Sequence, residues 1–121
     1  MPWIVRKGKR SKNKSYNTQK RREVYDSSLW KRMRLAHLRD NALCEVCLLQ
    51  DKVTLAEAVH HLKTFMGAET KEERDQLAYD SENFCSVCPT CHNRIHNGDL
   101  KGCESLDQIK ARLEEINNSN N

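Results

Sequence analysis

The stretch that decides the fold reads Asn83-Phe-Cys-Ser-Val-Cys88-Pro-Thr-Cys91-His92-Asn-Arg-Ile-His96. It follows an earlier Cys44-Glu-Val-Cys47 and the adjacent pair His60-His61. Two Cys-x-x-Cys units can supply four thiolates to a tetrahedral zinc ion, a closed arrangement typical of structural sites. His92 and His96 are four residues apart, so on a helix they share one face and can hold a second cation from one side. The sequence therefore predicts two metal sites of different chemistry.

The thiol set leaves one choice open, because Cys85, Cys88 and Cys91 offer two overlapping Cys-x-x-Cys pairs. Pro89 favours a tight turn between Cys88 and Cys91, and Cys91 is placed to begin a helix, whereas Cys85 falls in a predicted strand. The predicted zinc ligands are Cys44, Cys47, Cys88 and Cys91, with Cys85 as the alternative. Cys85 and Cys103 are then expected to be small buried hydrophobes.

Length and composition limit the class of protein. The chain has 121 residues, enough for one small domain, and its 37% hydrophobic residues form no run long enough to span a bilayer. No apolar secretion segment is visible near residue 1, so the Cys-x-x-Cys spacing is interpreted as metal binding in a reducing cytoplasm. The alternative is a set of disulfides in an oxidising compartment.

Charge is distributed unevenly along the chain. Residues 1–39 contain thirteen Lys and Arg but only Glu23 and Asp26 as acids, so they carry +11 and the rest carries −7 of the overall +4. A basic segment of this kind suits a polyanion such as DNA, because Lys and Arg release counterions from phosphates. The alternative is a solvated tail without a partner. We expect residues 1–22 to form a flexible basic arm, residues 23–117 the domain and residues 118–121 a disordered tail.

The pattern of apolar and capping residues predicts an α+β domain. A helix is expected over about 28–39, and the lone His37 on it is interpreted as a satisfied surface or core residue. A short strand should end near Val59, and a second should cover residues 84–87. Further helices are expected from the Thr70 cap to about Ala78, over residues 90–96, and after Ser105. The central order is therefore strand, loop, strand, helix.

Several segments together resemble the HNH endonuclease family, in the zinc-stapled form common in bacteriophages and prophages. The resemblance covers roughly Tyr25 to Asn97. It is carried by Tyr25-Asp-Ser-Ser-Leu-Trp30-Lys-Arg-Met-Arg34, Leu43-Cys-Glu-Val-Cys47, Ala58-Val-His-His61 and Asp80-Ser-Glu-Asn-Phe84 before Cys88-x-x-Cys91-His92. It implies a ββα-metal (His-Me finger) core, stabilised by zinc, with flanking helices and a basic N-terminal arm.

The resemblance also assigns roles to individual residues. His61 matches the general base that deprotonates the attacking water, and Asn83 matches the asparagine that braces the loop between the strands. His60 and His92 match ligands of the single catalytic cation, and His96 matches an additional ligand found in some members. His96 could alternatively bind a substrate phosphate.

The implied activity is hydrolysis of DNA that leaves 5′-phosphate and 3′-hydroxyl ends, with little sequence preference. Many relatives have Asp where this chain has His60, which leaves Mg²⁺, Mn²⁺, Ni²⁺ and Zn²⁺ open as the catalytic cation. Similar phage proteins support DNA packaging beside a terminase, so a terminase partner and the bacterial host cytoplasm are expected. Two alternatives are a non-catalytic zinc-ribbon DNA-binding protein and a modification-dependent or homing nuclease.

Overall fold

The computed structural model describes residues 12–119, with side chains from Thr18 onward. Within this range the chain forms two antiparallel strands, β1 (Ala58–His61) and β2 (Phe84–Val87). The helices are α1 (Lys12–Tyr25), α2 (Ser28–Asp40), α3 (Glu45–Leu48), α4 (Lys71–Ala78), α5 (Pro89–Asn97) and α6 (Leu106–Ser119). Short 3₁₀ turns cover Phe65–Gly67 and Ser81–Asn83.

The β1–β2 pair lies between two hydrophobic clusters. His60 is opposite Cys85, and His61 is opposite Phe84. Side chains alternate between the two faces of a strand, so the two adjacent histidines leave β1 on opposite sides. One face packs on a cluster that includes Trp30, Val59, Phe65 and Phe84. The other face packs on the cysteine-rich cluster that α5 and α6 cover.

The helices begin where their capping residues predict. Ser27 Oγ accepts a hydrogen bond from the Trp30 N–H at 3.1 Å, and Thr70 Oγ1 accepts one from the Glu73 N–H at 3.1 Å. Ser105 Oγ accepts from the Gln108 N–H at the start of α6. Pro89 occupies the first turn of α5, where its missing N–H has no cost. The helices expected over about 28–39, from Thr70 to about Ala78, over residues 90–96 and after Ser105 are therefore confirmed.

The N-terminal segment differs from expectation. An extended or disordered segment was expected over residues 1–22, but from Lys12 onward the backbone is helical and α1 continues to Tyr25. Val24, only 2% exposed, packs in the same cluster as Trp30 and anchors the last turn of this helix. Lys, Gln, Arg and Glu are good helix formers, so a polar segment with one buried turn can be helical. Residues 1–11 lie outside the described range.

Two element ends also differ from expectation. β1 continues through His60 and His61 instead of ending near Val59. The last helix reaches Ser119, so residues 118 and 119 are helical, and residues 120–121 of the expected tail are not described. Among residues 12–119, no helix has both the length and the apolar composition needed to cross a bilayer.

Candidate metal centres and catalytic cleft

Four buried thiols form one cluster between α3 and the start of α5. The Sγ atoms of Cys44, Cys47, Cys88 and Cys91 all lie within 4.8 Å of one another. Cys47 Sγ is 3.6 Å from Cys91 Sγ and 3.9 Å from Cys88 Sγ. A tetrahedral zinc with Zn–S bonds of about 2.3 Å would separate its sulfurs by about 3.8 Å. The cluster therefore fits a structural zinc ion.

The alternative thiol, Cys85, lies outside this cluster. Its side chain is fully buried in β2. Burial raises the pKa of the Cys85 thiol, and the nearby Glu45 and Cys44 raise it further. Cys103 is also buried, at 5% exposure. Both residues therefore have the surroundings of small hydrophobic side chains.

Three histidines form a second cluster where β1 meets α5. His60 comes from the strand, and His92 and His96 come from successive turns of the helix. Their ligand nitrogens all lie within 4.8 Å of one another, and the Nε2 atoms of His92 and His96 are 2.9 Å apart. Two nitrogens bound at about 2.1 Å and at right angles to each other on one cation would be about 3.0 Å apart. The cluster fits a divalent cation held by neutral imidazoles.

The surroundings of His60 and His92 favour the neutral form of both imidazoles. Burial lowers the pKa of His60 to about 4, and the neighbouring His96, His92 and His61 add to the shift. Burial also lowers the pKa of His92, with a further contribution from His96. A neutral imidazole is the form that binds a metal, so these histidines are ready to act as ligands at neutral pH.

His61 lies on the opposite face of β1, enclosed by aromatic rings. Its imidazole stacks on Trp30, with ring centroids 4.6 Å apart and planes at 27°, and meets Phe65 and Phe84 edge to face. Tyr25 lies 6.0 Å away. The side chain is buried, and this burial lowers its pKa, although a hydrogen bond to Ala78 partly opposes the shift.

The hydrogen bonding of His61 determines which nitrogen is free. Its Nε2 lies 3.0 Å from the carbonyl oxygen of Ala78. A carbonyl can only accept a hydrogen bond, so Nε2 carries the proton in the neutral ring and Nδ1 has the lone pair. Nδ1 has no hydrogen-bond partner among the described residues. His61 therefore has one nitrogen fixed by a carbonyl, and the other is buried without a hydrogen-bond partner and carries the lone pair.

Asn83 connects both sides of the loop between the strands. Its Oδ1 accepts a hydrogen bond from the Lys63 N–H at 2.8 Å. Its Nδ2 donates to the Lys63 carbonyl at 2.9 Å and to the Leu77 carbonyl at 3.0 Å. The next carbonyl after Leu77 belongs to Ala78, which accepts the His61 N–H. Asn83 thus holds the backbone segment that orients His61.

His37 has a structural partner, as predicted from the sequence. Its Nε2 lies 3.0 Å from Glu45 Oε2. The same carboxylate oxygen accepts a hydrogen bond from the Ser86 N–H at 2.5 Å. Glu45 lies between Cys44 and Cys47 of the thiol cluster, so this contact joins α2, α3 and β2.

A cleft of about 510 Å³ connects the two groups of histidines. His60, His61, His92 and His96 line it together with Arg21 of α1 and Arg34 of α2, and none of its described lining residues is acidic. Burial raises the pKa of Tyr25, and the charge of Arg21 offsets part of that rise. The sequence predicted no role in a cleft for either arginine, although each lies four residues from an aromatic residue of the cleft.

Comparisons with known proteins agree with this geometry. The family model described as HNH endonuclease matches residues 44–98. Among solved structures, the chain is similar to the HNH endonuclease of the deep-sea thermophilic bacteriophage GVE2, whose crystal structure contains a manganese ion. The two are 36% identical, with a TM-score of 0.56, and the match covers 70% of this chain and 89% of the phage chain. No curated protein matches the chain. The extent and identity of the structural match, together with the family-model match, show that this chain belongs to the HNH endonuclease family.

Proposed function

We propose that this protein is a metal-dependent endonuclease that hydrolyses DNA phosphodiester bonds with little sequence preference. One observation carries the proposal: the cleft combines a three-imidazole cluster with a fourth imidazole whose Nδ1 has no hydrogen-bond partner among the described residues. A purely structural zinc domain needs the four cysteines but not this set of histidines.

His61 is the proposed general base. Because its pKa is lowered, its imidazole is neutral at physiological pH and can accept the proton of an attacking water at Nδ1. The Ala78 carbonyl fixes the ring through Nε2, and Trp30 holds its plane. The electron-rich face of Trp30 also favours the imidazolium that forms after proton transfer. Asn83 acts as a positioning residue, since it holds the backbone next to Ala78.

His60, His92 and His96 are the proposed ligands of the catalytic cation. When bound, a divalent cation supplies Lewis-acid stabilisation of the charge that develops on the phosphate and the leaving oxygen. The three imidazoles are neutral ligands, so the site would retain the full positive charge of its cation. The proposed products carry 5′-phosphate and 3′-hydroxyl ends.

The ligand set favours some cations over others. Imidazole suits Mn²⁺, Ni²⁺ and Zn²⁺ better than the harder Mg²⁺, which prefers carboxylates and water. The similar phage endonuclease was solved with manganese. The 2.9 Å distance between the His92 and His96 nitrogens supports His96 as a metal ligand instead of a phosphate contact. We therefore propose Mn²⁺ as the first cation to test, and a separate zinc ion on the four cysteines.

Plasmid cleavage tests the proposal. Purified protein that retains its zinc is incubated with supercoiled plasmid in Mg²⁺, Mn²⁺, Ni²⁺ or Zn²⁺, and nicked and linear products are separated. We expect cleavage, fastest with Mn²⁺ or Ni²⁺, and the ratio of nicked to linear product reports the cutting mode. If DNA is bound but stays intact with every cation, the non-catalytic zinc-ribbon alternative replaces the enzyme. A role in phage DNA packaging stays a prediction, which co-purification with a terminase would test.

A further inference from the structure

The cleft presents two arginines that the catalytic roles above do not use. Arg21 and Arg34 lie on different helices and both line the same cleft as the four histidines. Neither belongs to residues 44–98, the part of the chain that the family model matches. They therefore belong to the part of the cleft that the N-terminal helices add to the matched region.

Helical spacing places each arginine one turn from an aromatic residue that faces the proposed base. Arg21 lies one turn before Tyr25 on α1, and Arg34 lies one turn after Trp30 on α2. Tyr25 and Trp30 contact each other with ring centroids 5.5 Å apart, and both face His61. Arg34 also donates a hydrogen bond, at 3.4 Å, to the carbonyl of Glu57, the residue before β1.

The two guanidinium groups are available to an anion. Four other arginines of the described range pair with carboxylates; for example, Arg74 pairs with Glu23, and Arg94 pairs with Asp99. Within residues 18–119, neither Arg21 nor Arg34 forms an ion pair. Among the residues that the structure describes, the cleft lining has no acidic side chain that could compete with an incoming phosphate. Arginine also offers several donors in a planar fork that matches phosphate oxygens.

From these contacts we infer that Arg21 and Arg34 bind the DNA phosphates on either side of the one that is cut. They are positioning residues, because each would fix the strand so that the scissile phosphate faces His61 and the three-imidazole cluster. The inference rests on the proposed nuclease function and adds to it the residues that align the substrate. It also gives α1 and α2 a role in turnover as well as in affinity.

Four single substitutions test this assignment. Arg21→Gln and Arg34→Gln remove a cleft charge. Arg22→Gln and Arg32→Gln remove a charge from exposed neighbours on the same two helices that do not line the cleft. Each substitution removes one positive charge, so any effect of net charge alone on DNA binding or cleavage is the same in all four variants. Zinc content and thermal melting are measured first to confirm that every variant is folded.

The readout is cleavage of a duplex oligonucleotide at saturating protein with Mn²⁺. We expect the cleft variants to lower the rate by about tenfold or more and the control variants to stay within about twofold of wild type. Neutral methylphosphonate linkages are then placed next to a mapped cleavage position. These neutral linkages should slow cleavage by the wild type at that position. They should have little further effect on the variant that lacks the arginine facing the same linkage, because the same contact has already been removed. Equal behaviour of cleft and control variants would overturn the inference.

Failure of the proposed function gives a different result, because the wild type itself then cuts no DNA. In that case the salt dependence of DNA binding tests whether Arg21 and Arg34 contact phosphates. The slope of log affinity against log salt should fall by about one unit in Arg21→Gln and Arg34→Gln, and should stay unchanged in the two controls. Identical slopes in all four variants would rule out phosphate contacts specific to the cleft.

Discussion

Replacing Asn83 by Ala should destabilise the protein and misplace its proposed base. The side chain is 9% exposed and makes three hydrogen bonds to backbone atoms of Lys63 and Leu77. At about 0.5–1.5 kcal/mol each, their loss should lower the free energy of unfolding by about 2–4 kcal/mol. For a domain of this size, that corresponds to a fall in Tm of roughly 8–16 °C.

The same substitution should slow the reaction. Without the Asn83 amide, the Leu77 carbonyl loses a donor, and the adjoining Ala78 carbonyl, which orients His61, is less firmly held. A displacement of about 1 Å at a reacting group can cost about 10²-fold in rate, so we expect kcat to fall by about ten- to a hundredfold. Because no proposed metal ligand is removed, the dependence of the rate on cation concentration should not change.

Thermal melting measures the loss of stability. Plasmid cleavage, carried out below the melting temperature of the variant, measures the loss of rate. Asn117→Ala is the matched control, since Asn117 is exposed on α6 and its loss should change stability by less than about 0.5 kcal/mol. Asn83→Asp, which keeps the size but turns a carboxylate toward two carbonyls, should be at least as harmful as Ala. An Asn83→Ala protein with the Tm and turnover of wild type would refute the bracing role.

Three further predictions concern the zinc site, pH and the N-terminus. Cys88→Ser should lose zinc and unfold, as seen by metal analysis and circular dichroism, whereas Cys85→Ser should keep one zinc; the opposite pattern would make Cys85 the ligand. The acid limb of the pH–rate profile should lie below pH 6.5, because burial lowers the pKa of His61 and keeps the base neutral at more acidic pH; a limb above pH 6.5 would contradict this. Deleting residues 1–11 removes four positive charges but keeps α1, so the salt dependence of DNA binding should decrease while kcat stays within about twofold; an unchanged salt slope would show that these charges do not contact DNA.

The sequence was sufficient to predict those helices, strands and turns that are specified by residues close together in the chain. Thr70 and Ser105 cap helices at the predicted positions, and β2 covers the predicted residues. The spacing of Cys88 and Cys91, with Pro89 between them, favours these thiols over Cys85 as partners of Cys44 and Cys47, and these four Sγ atoms lie within 4.8 Å of one another. In each case the signal depends on residues within one turn of each other, which is the range over which capping and turn chemistry act.

The parts that the sequence did not predict depend on contacts between distant segments. α1 has little apolar periodicity, and its last turn is fixed through Val24, which packs in the cluster that contains Trp30 and Phe65. The enclosure of His61 combines aromatic residues from four separate segments. The sequence predicted that His37 would have a hydrogen-bond partner but not that the partner is Glu45, because this contact depends on how α2 packs against α3. Local patterns do not specify such tertiary contacts.

The central claim is that His61 transfers a proton while His60, His92 and His96 hold the cation. It is tested most directly by cleaving supercoiled plasmid with wild type, His61→Ala and His92→Ala over a titration of Mn²⁺. We predict that His61→Ala is slower by about 10² to 10⁴ at every Mn²⁺ concentration, with zinc content and DNA binding unchanged. His92→Ala should recover part of its lost rate as Mn²⁺ rises, because its defect is in binding the cation. Cleavage by His61→Ala at the wild-type rate, or recovery of both variants alike with added Mn²⁺, would contradict this division of roles.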